Sequence, residues 1–194
     1  MGKSGKPKGA PVSDHFFSGS SIAKLDDKKR FVLPQQMRYG LVEDGKLEFT
    51  IGLGLGGCLT IYKKSDIQKI VKKFKEKQHI AKYQKFFTLF FSLLHETSCD
   101  KIGRISLPAS LLNIVKIQKE IVVAGVLDKI ELWPKEVYDQ NMAQILLSSE
   151  SSSEFQKMTE EAFALLQDDQ NEEISEMEKL SESHIKNAQE TIRQ

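Results

Sequence analysis

Two stretches of the sequence share one pattern: Leu25-Asp26-Asp27-Lys28-Lys29-Arg30-Phe31-Val32-Leu33-Pro34 and, 74 residues later, Cys99-Asp100-Lys101-Ile102-Gly103-Arg104-Ile105-Ser106-Leu107-Pro108. At this one offset the aspartate, the arginine, the second leucine and the proline are identical. The match extends upstream, where Phe16-Phe17-Ser18 corresponds to Phe90-Phe91-Ser92. Seven identities without a gap in the nineteen positions 16–34 indicate an internal duplication.

Both copies predict the same order of elements, and the fold class is therefore α+β. Each motif has the composition of a tight turn, leads into a short strand that ends at proline, and continues into a short helix. Two further strands follow in each copy. The predicted strands are 16–17, 31–33, 47–51, 59–62, 95–98, 105–107, 120–124 and 130–133. The predicted helices are 35–39, one from Ser65 to Lys85, 108–112 and 136–147, and Gln68 completes a capping box with Ser65.

The net charge of +1 conceals an uneven distribution along the chain. Residues 145–194 contain twelve acidic and four basic residues, so this tail carries −8 and the rest of the chain +9. A basic body favours a polyanionic partner, for which an acidic tail can compete. The tail pattern predicts either helices that pack on the body or a mobile appendage, which binds the basic body or a protein partner.

Two basic segments leave their roles open. Residues 1–13 predict a flexible basic arm, either inert or tracking along DNA. Nine lysines lie between 63 and 85, interleaved with aromatic residues. They form either a nucleic-acid-binding face or the solvated side of an amphipathic helix pair.

The repeated arginines are the best candidates for a binding site. Arg30 and Arg104 are two of only four arginines, although the chain has 24 lysines. A guanidinium binds phosphate or the edge of guanine through two parallel hydrogen bonds, which lysine cannot do. Asp26 and Asp100, four residues earlier, are placed to orient these arginines, and further phosphate contacts are expected from Lys28, Lys29 and Lys101. The alternative is that each Asp–Arg pair only staples its turn.

On these paired motifs, residues 15–145 resemble the MraZ family, bacterial proteins related to AbrB-type transition-state regulators. The resemblance implies two interlocked AbrB-like swapped-hairpin β-barrel repeats that form a pseudo-dimer, to which this chain adds a helical acidic C-terminal extension. It also implies a ring-shaped homo-oligomer that binds double-stranded DNA at tandem promoter repeats. Such a protein represses the division and cell-wall gene cluster, including its own gene. The DNA-binding residues that it implies are the Asp and Arg of each motif.

One residue departs from the family pattern. Position 29 is lysine, where the second copy has Gly103 and the family usually has glycine. A lysine with positive φ is strained, so the first turn is expected to differ in shape from the second. The expected division of the chain is an arm (1–13), a first repeat (14–74), a Lys-rich helical connector (75–89), a second repeat (90–147) and the acidic extension (148–194).

Enzymatic activity is not expected, nor is a cofactor or a metal. The four histidines are scattered, Cys58 and Cys99 have no metal-ligand spacing, and the Gly52–Gly57 loop lacks the phosphate-loop pattern. With no apolar run long enough for a membrane and no secretory signal, a cytoplasmic, nucleoid-associated protein is expected. The alternative function is an interaction or scaffold protein that binds partners through the acidic tail and not DNA.

Overall fold

A computed structural model describes residues 15–147 and 153–165 of the chain. The chain divides into two compact units, residues 1–139 and 140–194. Within the described residues the strands are β1 (Ser20–Lys24), β2 (Arg30–Val32), β3 (Glu48–Leu53), β4 (Leu59–Lys63), β5 (His95–Ser98), β6 (Arg104–Ser106), β7 (Glu120–Val126) and β8 (Lys129–Pro134). The α-helices are α1 (Gln35–Gly40), α2 (Lys64–Lys77), α3 (Gln84–Ser92), α4 (Ala109–Val115), α5 (Lys135–Leu147) and one over 153–165.

Most predicted elements are confirmed. The bounds of the seven strands β2 to β8 lie within two residues of the predicted ones. The helices α1, α4 and α5 begin within one residue of their predicted first residues. The glycine-rich segment connects β3 and β4 as a hairpin through a 3-10 turn at Leu55–Gly57. The helix over 153–165 agrees with the helices expected in the tail, whereas residues 166–194 lie outside the described residues.

The prediction of a strand at Phe16-Phe17 was wrong. Only Phe17 pairs, in an isolated bridge with Leu127, and β1 begins at Ser20. The corresponding Phe90 and Phe91 lie in α3. These identical residues therefore occupy different structures, because the first copy enters its strand from an extended segment and the second copy enters it from a helix.

The capping-box prediction for α2 was also wrong, and so was its single long helix. The helix begins at Lys64 and ends at Lys77, and α3 is a separate helix. Ser65 makes no cap with Gln68; instead its amide donates to a carboxylate oxygen of Glu43 at 2.9 Å, and its hydroxyl donates to the other oxygen of the same group. The carboxylate of Glu43, 22 residues away, thus accepts the hydrogen bond of a free amide at the helix start, a role expected of a neighbouring side chain.

Strand pairing crosses between the two copies. The main sheet has the antiparallel order β1-β7-β8-β4-β3-β5. The hairpins β3–β4 and β7–β8 meet in the centre, where β4 pairs with β8. The first strand of each copy pairs only with the hairpin of the other copy, β1 with β7 and β5 with β3. Neither copy therefore completes its own sheet.

The second strands of the two copies form a separate two-stranded ribbon, β2–β6. The expectation of a β-barrel requires correction here, because the six-stranded sheet is open: β1 and β5 are its two edges. Short, charged turns at residues 26–30 and 100–104 lead from the edge strands β1 and β5 into the ribbon. The strands are therefore divided between two sheets, and no strand of the described residues remains to pair β1 with β5 and close a barrel.

Glycine at two repeated positions allows the exchanged segments to cross. A Cβ on Gly125 in β7 would lie 2.5 Å from the backbone nitrogen of Ser18, just before β1. A Cβ on Gly52 in β3 would lie 2.7 Å from the side chain of Leu94, just before β5. Each glycine thus permits a close approach of the other copy's incoming chain.

One hydrophobic core serves both copies. Its fully buried side chains come from the ribbon, the central hairpins and the two short helices, for example Phe31, Leu41, Ile61, Ile105 and Leu132. Leu25 and Cys99, which correspond in the repeat, both pack on this core as partly buried side chains. Cys99 therefore has the same apolar surroundings as Leu25.

Candidate nucleic-acid interface

The first repeated turn is built around the carboxylate of Asp26. Oxygen Oδ1 accepts hydrogen bonds from the backbone amides of Lys28 and Arg30, both at 2.9 Å. Oxygen Oδ2 accepts from Nε and Nη2 of Arg30 at 2.9 and 2.7 Å. Because these hydrogen bonds favour the charged carboxylate, with Arg30 the largest contributor, they lower the pKa of Asp26.

The second turn repeats this geometry. Oδ1 of Asp100 accepts from the amides of Ile102 and Arg104 at 3.1 and 2.9 Å, and Oδ2 accepts from Nε of Arg104 at 2.7 Å. Hydrogen bonds from the backbone and the side chain of Arg104 lower the pKa of Asp100 to about 2. Each aspartate therefore fixes both its turn and the orientation of its arginine.

The two turns have the same shape, which corrects the expectation for Lys29. Lys29 has φ +59° and Gly103 has φ +85°, so both lie in the left-handed region. In both turns the aspartate amide donates to the arginine carbonyl, at 2.8 and 2.9 Å, and residue 29 or 103 donates to the aspartate carbonyl at 2.9 Å. A side chain in this region costs about 1–2 kcal/mol. The hydrogen bonds of the Asp26 carboxylate stabilise the turn and so offset this cost at Lys29.

The β2–β6 ribbon brings both turns to one exposed face. Arg30 pairs with Ser106 and Val32 with Arg104, while Phe31 and Ile105 point into the core. The ribbon is extended at each end, where Leu33 N–H donates to the Gly103 carbonyl and Leu107 N–H donates to the Lys29 carbonyl, both at 3.0 Å. Because Arg30 and Arg104 are diagonal neighbours on the outer face, their backbone positions are about 7–8 Å apart.

The four charged residues of the turns act on one another electrostatically. Hydrogen bonding to Asp26 raises the pKa of Arg30, and the charge of Asp100 in the other turn adds to this effect. The side chains remain partly exposed, 27% for Arg30 and 33% for Arg104. Within the described part of the chain, both Nη groups of Arg104 are without a hydrogen-bond partner. The arginines are thus both anchored and available.

Every residue predicted for this site lies on it or beside it. Asp26, Arg30, Asp100 and Arg104 form the centre, and Lys28, Lys29 and Lys101 are exposed on the turns. A two-stranded ribbon with outward arginines has the width that the major groove of B-DNA admits. The same contacts also serve as staples, so the geometry accommodates both roles that the sequence left open.

The sequence did not identify Arg38 as part of this surface. Its guanidinium lies over Gly103: a Cβ on that glycine would be 2.5 Å from Cζ and 2.9 Å from Nε. Arg38 follows the proline of the first motif by four residues, and the corresponding residue of the second copy is Leu112. The scarcity of arginine was the only available signal, because the contact joins residues 65 positions apart.

The lysine-rich segment forms a hairpin of α2 and α3 held together by aromatic side chains. The ring of Phe74 contacts those of Phe86, Phe87, Phe90 and Phe91 at centroid distances of 5.4–6.1 Å. The lysines Lys72, Lys73, Lys75 and Lys77 are exposed. Most of the interleaved aromatics therefore join the two helices, which accounts for their spacing without a nucleic acid.

No alternative chemical site is evident in the described residues. Burial raises the pKa of both Cys58 and Cys99 to about 11, so their thiolate forms are disfavoured near neutral pH. Residues 15–147 and 153–165 contain no group of three or more His, Cys, Asp or Glu side chains placed to hold a metal ion. Among the same residues, no helix combines the length and apolar character needed to span a bilayer.

Comparison with known proteins gives two consistent matches. The family model described as "MraZ protein, putative antitoxin-like" matches the chain twice, at residues 16–89 and 90–163. A protein of Desulforamulus reducens named "Transcriptional regulator MraZ" is 34% identical over 139 residues, which cover 71% of this chain and 95% of that protein. The two model matches are offset by 74 residues, the same distance that separates the two turns.

Proposed function

The chain belongs to the MraZ family, and from this we propose that it is a transcriptional regulator that binds double-stranded DNA through the two Asp–Arg turns. The observation that carries the proposal is the placement of Arg30 and Arg104 on one outward face of the β2–β6 ribbon. Each arginine is oriented by an aspartate, so the fork reaches DNA with little further loss of side-chain freedom. The proposed function is not enzymatic.

Charge supports a DNA partner. Residues 1–144 carry +9, and Lys28, Lys29 and Lys101 flank the two arginines. Contacts of lysine and arginine with phosphates release counterions, so binding is expected to fall steeply as salt rises. The arginines then supply contacts to base edges, which Lys cannot replace in geometry. A relative that covers most of this chain carries the name of a transcriptional regulator.

We further propose repression of the division and cell-wall gene cluster, including the chain's own gene, by binding tandem sites in the promoter. One ribbon covers few base pairs, so a single copy binds weakly. Several identical subunits that engage several sites at once convert modest contacts into useful affinity. The protein acts in the cytoplasm at the nucleoid, where such sites are found.

The proposed homo-oligomer, a ring, draws support from α3. Five of its nine residues are large and apolar, yet none is buried, and Phe86 and Leu89 are 45% and 54% exposed. A helix with this composition normally packs against another surface. Replacing Phe86 and Leu89 together with serine is expected to reduce the mass measured by light scattering. Thr88→Ala, on the same helix, is the matched control and should leave the mass unchanged.

Gel-shift titration tests the DNA-binding proposal. The probe is a duplex from the region upstream of the chain's own gene, with a scrambled duplex for comparison, at two salt concentrations. Arg30→Ala combined with Arg104→Ala should abolish the preference for the promoter duplex while keeping the oligomer mass. Lys46→Ala combined with Lys157→Ala removes the same charge from exposed positions outside the turns and should retain that preference.

The outcomes separate the two functions that remain open. If the Arg30/Arg104 variant binds the promoter duplex as tightly as wild type, the pairs are staples and the lysines of α2 become the next candidates. If wild type binds neither duplex at low salt, the regulator proposal fails. An interaction protein that binds partners through the acidic tail then becomes the better account.

A further inference from the structure

The two turns differ at one position that their shared geometry makes conspicuous. The left-handed residue is Lys29 in the first turn and Gly103 in the second. Lys29 is exposed, so it places an ammonium group on the surface beside Arg30. Gly103 has no side chain, but it is buried because the guanidinium of Arg38 covers it. Both turns thus carry a cation at the same place, supplied from different elements.

Arg38 has no carboxylate partner among residues 15–147 and 153–165. It lies in the last turn of α1, where it is partly exposed. Among the described residues no carboxylate lies within ion-pair distance of it, and its buried Nε has no acceptor. By contrast, Arg30 and Arg104 are each held by an aspartate. A partly buried guanidinium without a carboxylate is costly unless its outer face meets an anion.

The internal symmetry identifies what would occupy this place in a purely structural role. The residue equivalent to Arg38 is Leu112 in α4, which is 3% exposed and belongs to the core. Because Leu33 bonds to Gly103 and Leu107 bonds to Lys29 in the same manner, α1 approaches the second turn as α4 approaches the first. The first turn thus has Lys29, and the helix that corresponds to it has Leu112. The second turn has Gly103, and its helix has Arg38.

We propose that Arg38 is a third DNA-contacting arginine, which binds a backbone phosphate at the second turn as Lys29 does at the first. This inference rests on the proposed DNA binding and adds to it a residue outside the repeated motif. It makes the two halves of the surface chemically unequal, because a guanidinium donates a planar fork and an ammonium acts as a point charge. Gly103 is required because any side chain there would displace the fork.

The test converts the residues of the second turn into those of the first turn within the full-length chain. Arg38→Leu introduces the residue of the second copy and removes the charge. Arg38→Leu combined with Gly103→Lys moves the charge onto the turn, which then copies the first. Binding of the upstream duplex and of the scrambled duplex is measured as a function of salt, with thermal unfolding as a check that each variant is folded. Lys46→Leu is the matched control for loss of one exposed charge.

Arg38→Leu is expected to lower the affinity for both duplexes roughly eightfold at 0.1 M salt and to reduce the slope of log affinity against log salt by about 1, the effect of one lost phosphate contact. The double variant should restore most of both. Lys46→Leu should change neither. A lysine at position 103 in the wild-type chain must displace the guanidinium of Arg38. Gly103→Lys alone should therefore raise DNA affinity over wild type by less than the same change raises it over Arg38→Leu.

The possible failures are distinguishable. If wild type binds and Arg38→Leu leaves affinity and salt slope unchanged, Arg38 is not a DNA contact, although the proposed function stands. If a folded Arg38→Leu variant loses binding and the double variant does not recover it, Arg38 acts by packing against the turn, which also overturns the inference. If wild type binds neither duplex, the proposed function and this inference fall together.

Discussion

Asp100 shows how much one carboxylate contributes at the scale of a residue. Its Oδ1 holds two backbone amides and its Oδ2 holds the guanidinium of Arg104, so a single charged group sets the turn and aims the arginine. Asp26 repeats the arrangement with Arg30. The local spacing of four residues is sufficient for this geometry, which is why the sequence motif alone predicted the pairs.

The pKa of Asp100 yields a pH prediction. Its pKa is about 2 in the folded chain, below the ordinary value of 3.8, so the charged form stabilises the fold. That contribution is fully present above pH 3.8 and is lost as the pH falls through about 2. Thermal unfolding of wild type and Asp100→Asn, followed between neutral pH and pH 2, should therefore show a difference that shrinks with acidification. A constant difference would contradict the prediction.

Replacing Lys29 is predicted to change stability and DNA affinity in opposite directions. Lys29→Gly removes a side chain from the left-handed region, so we expect the free energy of unfolding to rise by about 0.5–1 kcal/mol in urea titrations. The same change removes a cation from the turn, so DNA affinity should fall several-fold. Lys28→Gly is the matched control: its φ is not positive, and it should weaken DNA binding without stabilising the fold. Equal effects of both changes on stability would refute the strain at Lys29.

At the scale of elements, the β2–β6 ribbon is the feature that makes one unit of two repeats. Each strand has only three residues and depends on the other copy for its partner. The ribbon also connects the two turns, so the candidate site exists only when both copies are folded. The stability of the ribbon and the geometry of the candidate site are therefore coupled.

Neighbouring residues of β2 separate the two faces of this ribbon. Phe31 is 1% exposed, so Phe31→Ala should cost about 3–5 kcal/mol and unfold both copies in a single urea transition. Val32 is 52% exposed on the outer face, and Val32→Ala should change stability by only about 0.5 kcal/mol. Two separate transitions in the Phe31 variant would show that the copies fold independently.

At the scale of the whole molecule, the body and the tail carry opposite charge, and on the proposed function we expect the tail to weaken the attraction of the body to DNA. Residues 166–194 contain eight acidic and three basic residues and carry −5. Truncation after Leu165 keeps the residues that match the family model, so it changes the long-range field while leaving those residues in place. We expect tighter DNA binding at low salt and convergence with wild type at high salt, where the field is screened. Equal affinity at low salt together with unchanged oligomer mass would contradict the prediction.

The sequence by itself determined the duplication, the Asp–Arg turns and nearly all the strands. These features depend on interactions within about five residues: the carboxylate of Asp26 or Asp100 reaches its own turn, and proline ends the strand that follows. The family resemblance rested on the same local patterns. The structure places all seven predicted site residues on one face or its rim, although no sequence pattern could establish that they meet.

Only the tertiary structure decided the features that depend on distant partners. Glu43 caps α2 from 22 residues away, so the local capping box between Ser65 and Gln68 is not used. The sheet remains open because β2 and β6 leave it to pair with each other. Arg38 meets Gly103 only because the copies exchange strands. Each of these outcomes is a choice between partners far apart in the sequence, and packing of the whole chain makes that choice, not the preference of any short segment.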